Sequence, residues 1–348
     1  MKTPTAKLAR IVQAMRGRRI SVVGDLMLDR YIWGTASRLS PEAAVPIVEF
    51  GEESCCPGGA GNVAATLAAL GAKVTPFGVV GDDEFAPMLR TAFRSAGLAE
   101  KGIVADGSRK TTVKTRVIAR HQQVVRVDRE TRRSLSASVE EQLIRRIAAS
   151  LRAAHALVIS DYDKGVVTED LATRVLSVCG RMGVPAFVKP KWSRLAKYPG
   201  ATTVVLNRAE AGFLVTSPLD DEESFEQAGR KLLEHFGSPA VLITRGEKGM
   251  SLFEQDASRG FSIAAISRER PFGRSAHADS PQRFEGRQVF DVTGAGDTVL
   301  ATLALAVAAG ASVRDAAVLA NVAAGVVVSK LGTSTLSPAE LLSAIRDL

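Results

Sequence analysis

A run of small residues near the end of the chain could bind an anion. Gly294, Ala295 and Gly296 precede Asp297 and a long apolar stretch. Small residues let the backbone approach a ligand closely, and a helix start presents unpaired N–H groups with partial positive charge. Such a cradle could stabilise the negative charge on a phosphoryl group during its transfer, and Asp297 could accept a proton from an attacking hydroxyl. The alternative is a glycine-rich turn capped by Asp297, and the spacing alone leaves both interpretations open.

Two further motifs could bind a polyhydroxylated ligand. Gly58 and Gly59 suit a backbone that packs beneath such a ligand, and Asn62, at the start of the next helix, offers both a donor and an acceptor. Asp25 and Asp29 follow a buried strand, where open α/β sheets bind ligands, and their carboxylates could grip sugar hydroxyls. A structural turn at the glycines and capping by the two aspartates are the alternatives.

The elements that must position these residues alternate between short apolar strands and helices. This alternation predicts a parallel sheet with helices on both faces, an α/β fold. An amphipathic helix precedes it, because Leu8, Ile11, Val12 and Met15 recur at helical spacing. The predicted strands are residues 20–24, 74–80, 156–160, 186–188, 203–206 and 240–244, and the main predicted helices are residues 63–70, 84–96, 298–309 and 312–329.

Two other segments predict a small sheet that stands off this body. Residues 31–50 have extended character, and residues 111–128 are rich in β-branched and basic residues with loose alternation. Residues 254–287 interrupt the pattern with Ser, Arg, Gly and Pro, and we expect a long mobile loop there. The chain, residues 1–348, is therefore expected to form one domain with a small β lid.

Composition and charge exclude several classes of protein. Hydrophobic residues at 46% and charged residues at 24% of 348 are globular values, which exclude collagen-like, disordered and disulfide-scaffold chains. The net charge of +8 is local: residues 1–19, 114–133 and 259–287 are basic, and the remainder is net negative. With 5% aromatic residues, nucleic-acid binding has little support. Three cysteines, no visible signal peptide and no apolar run of about 20 residues predict a cytoplasmic protein.

Missing motifs narrow the chemistry further. The sequence has no Gly-Lys dipeptide, which excludes a P-loop, and neither glycine cluster fits the dinucleotide-binding pattern G-x-G-x-x-G. Its four histidines are widely spaced, which argues against a histidine-based metal site or triad.

Taken together, the two glycine motifs resemble the signatures of the ribokinase-like (PfkB) carbohydrate kinases. The resemblance covers the chain after residue 18 and implies a three-layer α/β sandwich that uses ATP. Residues 24–31, 37–43 and 330–335 are most similar to the members that phosphorylate D-glycero-β-D-manno-heptose 7-phosphate at its anomeric hydroxyl, towards ADP-heptose and lipopolysaccharide. Bifunctional members add a nucleotidyltransferase with an H-x-G-H motif, which is absent here, so we expect a stand-alone kinase. Another sugar or nucleoside kinase of the family, or a regulator that binds sugar phosphate without catalysis, remains an alternative.

The resemblance also implies roles for individual residues. Asp297 would be the catalytic base, with the backbone of Gly294, Ala295 and Gly296 as the anion hole. The sugar would be held by Asp25, Asp29, Gly58, Gly59 and Asn62. The nucleotide, its phosphates and Mg²⁺ would be bound by Lys191, Asn207, Glu210, Thr244, Arg245, Gly246 and Asn321, with Glu210 as a metal ligand. Asp291 and Thr293, with the backbone of residues 329–334, match the loop that holds a monovalent cation such as K⁺ in many relatives.

A phosphate already present on the sugar would need a cationic pocket. The lid segment offers Lys114, Arg116 and Arg120, with Gln122 beside them, and we expect this patch to bind the 7-phosphate. The alternative is a solvated basic face of an exposed hairpin. Exposed lid strands often pair between protomers, so a homodimer through the lid is expected. The chain departs from the Asp-Pro-Lys of the heptose kinases, because Lys189 stands in the place of the aspartate.

Overall fold

The body is built on one twisted sheet of nine strands. The computed structural model describes residues 4–119, 122–191, 198–265, 293–330 and 334–348. The body strands are β1 (Arg19–Gly24), β4 (Lys73–Val80), β5 (Ile103–Ala105), β8 (Ala156–Ser160), β9 (Ala186–Lys189), β10 (Thr203–Asn207), β11 (Ala240–Thr244), β12 (Met250–Glu254) and β13 (Phe261–Ile263). Their order in the sheet is β13-β12-β11-β10-β9-β8-β1-β4-β5, and the seven strands from β11 to β5 pair in parallel.

Helices cover both faces of this sheet and complete a three-layer α/β sandwich. They are α1 (Thr5–Met15), α2 (Ala60–Ala69), α3 (Phe85–Ser95), α4 (Ala137–Leu151), α5 (Glu169–Met182), α6 (Arg208–Val215), α7 (Glu222–Phe236), α8 (Ala295–Ala308), α9 (Val313–Val327) and α10 (Pro338–Arg346). Alternate residues of β8 divide between two cores: Ala156 and Val158 pack with α1, α2, α8 and α9, whereas Leu157 and Ile159 pack with α4, α5 and α7. Because strand side chains alternate between faces, one strand serves both cores.

A second sheet of four strands forms the lid, in the order β3-β2-β6-β7. Its strands are β2 (Leu26–Leu39), β3 (Pro46–Gly59), β6 (Thr112–Ala119) and β7 (Gln122–Arg129). Both segments predicted to stand off the body are therefore confirmed as strands of one sheet. The β2–β3 hairpin of the lid begins only one residue after β1 and ends at the start of α2, so the lid is anchored directly beside the carboxyl edge of the body sheet.

The predicted strands and helices of the body agree closely with the structure. The edge strands β5, β12 and β13 were not anticipated from the pattern, because each is short or runs antiparallel. The expected long loop over residues 254–287 is wrong at its start, where Phe261–Ile263 forms β13. The rest of that segment, from residue 266, lies outside the described residues. Within the part of the chain that the structure describes, no helix has the length and apolar character needed to cross a membrane.

Candidate active site

Asp297 lies in the first turn of α8, at the carboxyl edge of the body sheet. The helix is capped at its N-terminus by Gly294, which has a left-handed backbone (φ 83°) and provides no side-chain cap. A glycine reaches that conformation without steric cost, and the first N–H groups of the helix then lack a capping side chain. Asp297 is thus not the N-cap, and the alternative of a turn capped by Asp297 is wrong.

Three donors from distant parts of the chain converge on the buried carboxylate of Asp297. The Asn62 amide Nδ2 donates to Oδ2 at 2.9 Å. The Tyr162 hydroxyl donates to Oδ1 at 2.6 Å, and the Lys189 ammonium lies 2.8 Å from the same oxygen. Through Asn62, the first turn of α2 is therefore in contact with the first turn of α8.

The loop that carries Tyr162 is held by Asp25. The carboxylate of Asp25 accepts hydrogen bonds from the backbone N–H groups of Tyr162 (2.8 Å), Lys164 (3.2 Å) and Val166 (3.2 Å). Burial raises the pKa of Asp25, and these three backbone donors oppose that rise. Asp25 was predicted to hold the sugar, but its oxygens are directed at this loop, which fits the capping alternative.

Both donors to Asp297 Oδ1 keep their protons. Burial raises the pKa of the Tyr162 hydroxyl, and the nearby carboxylate of Asp297 raises it further. Burial alone would lower the pKa of Lys189, but the carboxylate of Asp297 outweighs it and the pKa is raised. The carboxylate therefore faces a phenol and an ammonium whose protonated forms are both favoured.

Asp29 lies within strand β2 of the lid and not at the end of β1, which corrects the expected strand-end position. Its Oδ1 lies 2.7 Å from Arg116 Nη1, and the guanidinium also stands 5.3 Å from the ring centre of Tyr31. Gly58 packs against this carboxylate so closely that an added Cβ would lie 2.4 Å from Asp29 Oδ2. Burial raises the pKa of Asp29, and Arg116 opposes that rise.

Lys114 shares the inner face of the lid with Arg116. In the backbone register of the sheet, Lys114 lies opposite Asp29 of β2 on one side and opposite Asp128 of β7 on the other. Strand alternation therefore directs its side chain to the same face of the lid as Asp29. Its side chain is half-buried and forms no ion pair with any residue the structure describes. Burial lowers the pKa of the Lys114 ammonium. Of the predicted phosphate patch, Lys114 and Arg116 are thus brought together over the site.

The other two members of that patch are not brought to the same place. Gln122 is exposed and pairs with Ala119, a position that alternates to the opposite face of the lid from Lys114. Arg120 lies outside the described residues, as does Asp291 of the expected cation loop.

Asn207 and Glu210 form a capping box at the start of α6. Asn207 Oδ1 accepts from the Glu210 N–H at 2.8 Å, and Glu210 Oε2 accepts from the Asn207 N–H at 2.9 Å. The structure thus shows a structural role for the N-x-x-E pair. Among the described residues no group of three or more His, Cys, Asp or Glu side chains could hold a metal ion. The single buried carboxylate of Glu210 is compatible with a Mg²⁺ ion whose other ligands are phosphate oxygens and water.

Arg245, predicted to contact the nucleotide, has its guanidinium turned into the body. It lies 2.9 Å from Glu222 Oε2 and 3.1 Å from Ser251 Oγ, and stacks 4.1 Å from the ring centre of Phe225. Its neighbours Thr244 and Gly246 do lie at the carboxyl end of β11, as expected. Two more residues predicted to contact the nucleotide do not lie at the end of β11. Lys191 follows the end of β9, and Asn321, in α9, donates to the Ala264 carbonyl at 2.8 Å.

Sequence reasoning missed Tyr162 and did not anticipate the contact between Lys189 and Asp297. One signal was available: both residues follow, or end, a buried parallel strand, and ligands of open α/β sheets bind at that edge. Tyr31, which stacks on Trp33 with ring centres 6.1 Å apart on the inner lid face, was also missed. The sequence did contain a signal for it: Tyr31 is two residues from Asp29 on β2, so both side chains lie on the same face of the strand.

Comparison with known proteins agrees with this geometry. Residues 18–340 match the model of the pfkB family carbohydrate kinases. The Bifunctional protein HldE of Geobacter sulfurreducens is 45% identical over 324 residues, which cover 93% of this chain and 62% of the relative. That of Pelobacter propionicus is 43% identical over 335 residues, or 96% and 64%. The chain therefore spans a little under two thirds of the length of these curated relatives.

Solved structures of low sequence identity share the fold. Phosphofructokinase-2 from Escherichia coli in complex with potassium superposes with a TM-score of 0.72 at 18% identity, over 95% of this chain and 99% of that one. Arabidopsis thaliana ribokinase complexed with ribose and ATP gives a TM-score of 0.70 at 19% identity, with the same coverage. The fold is thus ribokinase-like. The chain belongs to the PfkB family and is an ATP-dependent carbohydrate kinase.

Proposed function

We propose that this kinase transfers the γ-phosphoryl group of ATP to the anomeric hydroxyl of D-glycero-β-D-manno-heptose 7-phosphate, an early step towards ADP-heptose and the lipopolysaccharide core. The similarity to HldE proteins supports a substrate of this kind. One structural observation carries the choice of a phosphorylated sugar. The half-buried ammonium of Lys114 faces the site from the lid without an ion-pair partner among the described residues.

The residues around Asp297 supply the chemistry of the transfer. Asp297 accepts the proton of the sugar hydroxyl, and the first N–H groups of α8, at Gly294 to Gly296, receive the charge of the phosphoryl group. Asn62 and Tyr162 fix the orientation of the Asp297 carboxylate. Asp29, Gly58, Gly59 and Asn62 face the sugar between the lid and the body.

The nucleotide occupies the β10 and β11 side of the same edge in this proposal. Glu210 would hold Mg²⁺, which neutralises phosphate charge when bound. Lys191, Asn207, Thr244, Gly246 and Asn321 stay candidates for contact with ATP, whereas the guanidinium of Arg245 is turned towards Glu222 and Ser251. Thr293, with the undescribed Asp291, stays the candidate for a monovalent cation.

A substrate screen tests the identity of the sugar. Release of ADP should be measured with Mg²⁺ and four acceptors at one concentration: heptose 7-phosphate, fructose 6-phosphate, ribose and adenosine. We expect heptose 7-phosphate to be turned over about 30- to 150-fold faster than the unphosphorylated acceptors, because one charged contact of good geometry contributes about 2–3 kcal/mol. Faster turnover of fructose 6-phosphate would keep the phosphate pocket but reject the heptose.

Assembly and location form part of the same proposal. The chain would act as a single kinase domain and as a homodimer joined through the lids. The outer lid face supports the dimer, because Val125 and Val127 are 47% and 57% exposed there. We place the enzyme in the cytoplasm, where ATP is available, and its three free cysteines suit a reducing compartment.

A further inference from the structure

Lys189 lies beside Asp297, at the start of α8. It is the last residue of β9, in the middle of the parallel sheet, and its side chain reaches the first turn of α8. Its ammonium lies 2.8 Å from Asp297 Oδ1 and 3.2 Å from the position that a Cβ on Gly296 would take. The ammonium is therefore in contact with the base and fills the space beside Gly296 that a larger side chain would need.

Asp297 does not need Lys189 to be held in place. The Tyr162 hydroxyl already donates to Oδ1 at 2.6 Å, and Asn62 Nδ2 donates to Oδ2 at 2.9 Å. A carboxylate with a donor on each oxygen is oriented and partly satisfied without a cation. A purely structural lysine at this point would therefore add a charge where two neutral donors suffice.

The surroundings of the ammonium are acidic. Asp297 contacts it directly, and Glu210 lies close enough to favour its charged form. Its side chain is 19% exposed, so it is not fully enclosed by the protein. The Lys189 ammonium thus lies between Asp297, the proton acceptor, and Glu210, which is expected near the nucleotide phosphates. A cation in this position can bind an incoming group of high negative charge.

We propose that Lys189 is a catalytic residue that binds the γ-phosphoryl group during transfer. In the ligand-free enzyme its ammonium rests on Asp297. When ATP and sugar are bound, it contacts the phosphoryl oxygens and leaves Asp297 free to act on the hydroxyl. The sugar oxygen bonds to the γ-phosphorus as the bond from that phosphorus to the bridging oxygen breaks. The hydroxyl proton passes to Asp297, ADP leaves with the bridging oxygen, and Lys189 stays protonated throughout.

This role rests on the kinase activity and not on the identity of the sugar. Nucleotide binding tests it without an acceptor: calorimetry in Mg²⁺ should compare ADP with the non-hydrolysable ATP analogue AMP-PNP. For Lys189→Met we expect the Kd of AMP-PNP to rise about 10-fold, since a charge-assisted contact is lost, while the Kd of ADP stays within about 2-fold. Equal weakening of both nucleotides, or of neither, would overturn the proposal.

Turnover provides the second measurement, with whichever acceptor of the screen is used fastest. We expect Lys189→Met to lower kcat about 100- to 1,000-fold with little change in the KM of the sugar, as for the loss of one group that stabilises transition-state charge. Tyr162→Phe is the matched control, because it removes a hydrogen bond to the same oxygen of Asp297 but no charge. If positioning of Asp297 were the whole role, both variants would lose kcat equally.

Two more variants guard against a folding defect. Lys189→Gln keeps a donor for Asp297 without the charge, and Lys189→Arg keeps the charge in a different shape. We expect the arginine variant to retain more of kcat and of AMP-PNP affinity than the glutamine variant, at comparable melting temperatures. The reverse order would contradict a role that depends on charge.

Discussion

Two buried carboxylates of the active site, Asp29 and Asp297, are each paired with one cation, and the two pairs differ in what else surrounds the acid. On the lid, Asp29 lies 2.7 Å from Arg116, with side-chain exposures of 5% and 13%. At the sheet edge, Asp297 lies 2.8 Å from Lys189, with exposures of 5% and 19%. Asp297 has two further donors, whereas Asp29 has no other hydrogen-bond donor among the described residues.

Because of this difference, Asp29 depends on its cation for compensation of its charge, whereas Asp297 does not. We call Arg116 a committed cation and Lys189 an available one. Without Arg116, the carboxylate of Asp29 would be left buried and unpaired, at a high cost in free energy. Without Lys189, Asp297 would keep Asn62 and Tyr162. Arg116 is therefore committed to the structure of the lid, and reversal of its charge would disturb Asp29 before it tested any phosphate. Lys189 can leave a carboxylate that keeps two other donors, and Lys114 has no ion-pair partner among the described residues, so either cation can respond to a substrate.

The largest expected effect is a loss of stability on removal of Arg116, and without that loss the distinction between the two ion pairs would be wrong. Arg116→Met should lower the free energy of unfolding by about 3 kcal/mol, because it leaves a buried charge uncompensated. Lys189→Met should lower it by less than about 1.5 kcal/mol, since two donors remain on Asp297. Denaturant unfolding of both variants measures the difference.

A double variant is the control for this prediction. Combined with Asp29→Asn, the substitution Arg116→Met should cost less than it does alone, because no charge is then left unpaired. If Arg116→Met and Lys189→Met destabilise the enzyme equally, the distinction between the two pairs is wrong.

The same two pairs show how far the sequence leads. The parallel sheet and the lid segments follow from periodicity and from the alternation of strands and helices. The partners of individual side chains do not follow. Lys189 and Asp297 are 108 residues apart, and Tyr162 and Asp297 are 135 apart, so their contacts exist only after the whole sheet has formed.

Local rules mislead where one residue has two possible partners. Arg245 ends the right strand for a nucleotide contact, but Glu222, Ser251 and the ring of Phe225 take its guanidinium. Asp25 follows the right strand for a sugar contact, but three backbone N–H groups of the next loop take its carboxylate. Spacing predicts the edge at which a side chain lies, and packing decides the direction in which it points.

The next largest effect concerns Lys114 and sharpens the contrast between committed and available cations. Lys114→Met should raise the KM of heptose 7-phosphate about 10-fold or more and leave the KM of ATP within about 2-fold, since only the sugar phosphate would lose a charged contact. Steady-state kinetics with both substrates measures this. Lys110→Met, at an exposed position just before β6, is the matched control and should change neither constant. Equal changes in both constants for Lys114→Met would remove Lys114 from the phosphate pocket.

The smallest effect is expected at the outer face of the lid. The alternation that directs Lys114 and Arg116 inwards leaves Val125 and Val127 pointing outwards, on a strand at the edge of the sheet. If two lids pack through this face, Val125→Asp should raise the dimer dissociation constant about 10-fold, because a charge would be buried in an apolar contact. Sedimentation velocity over a range of concentrations measures it. Met182→Asp, which changes an exposed apolar residue at the end of α5 in the body, should leave assembly unchanged. A dimer that survives Val125→Asp, or one that Met182→Asp dissociates, would assign the interface to the body and leave the two lids as independent covers of their own sites.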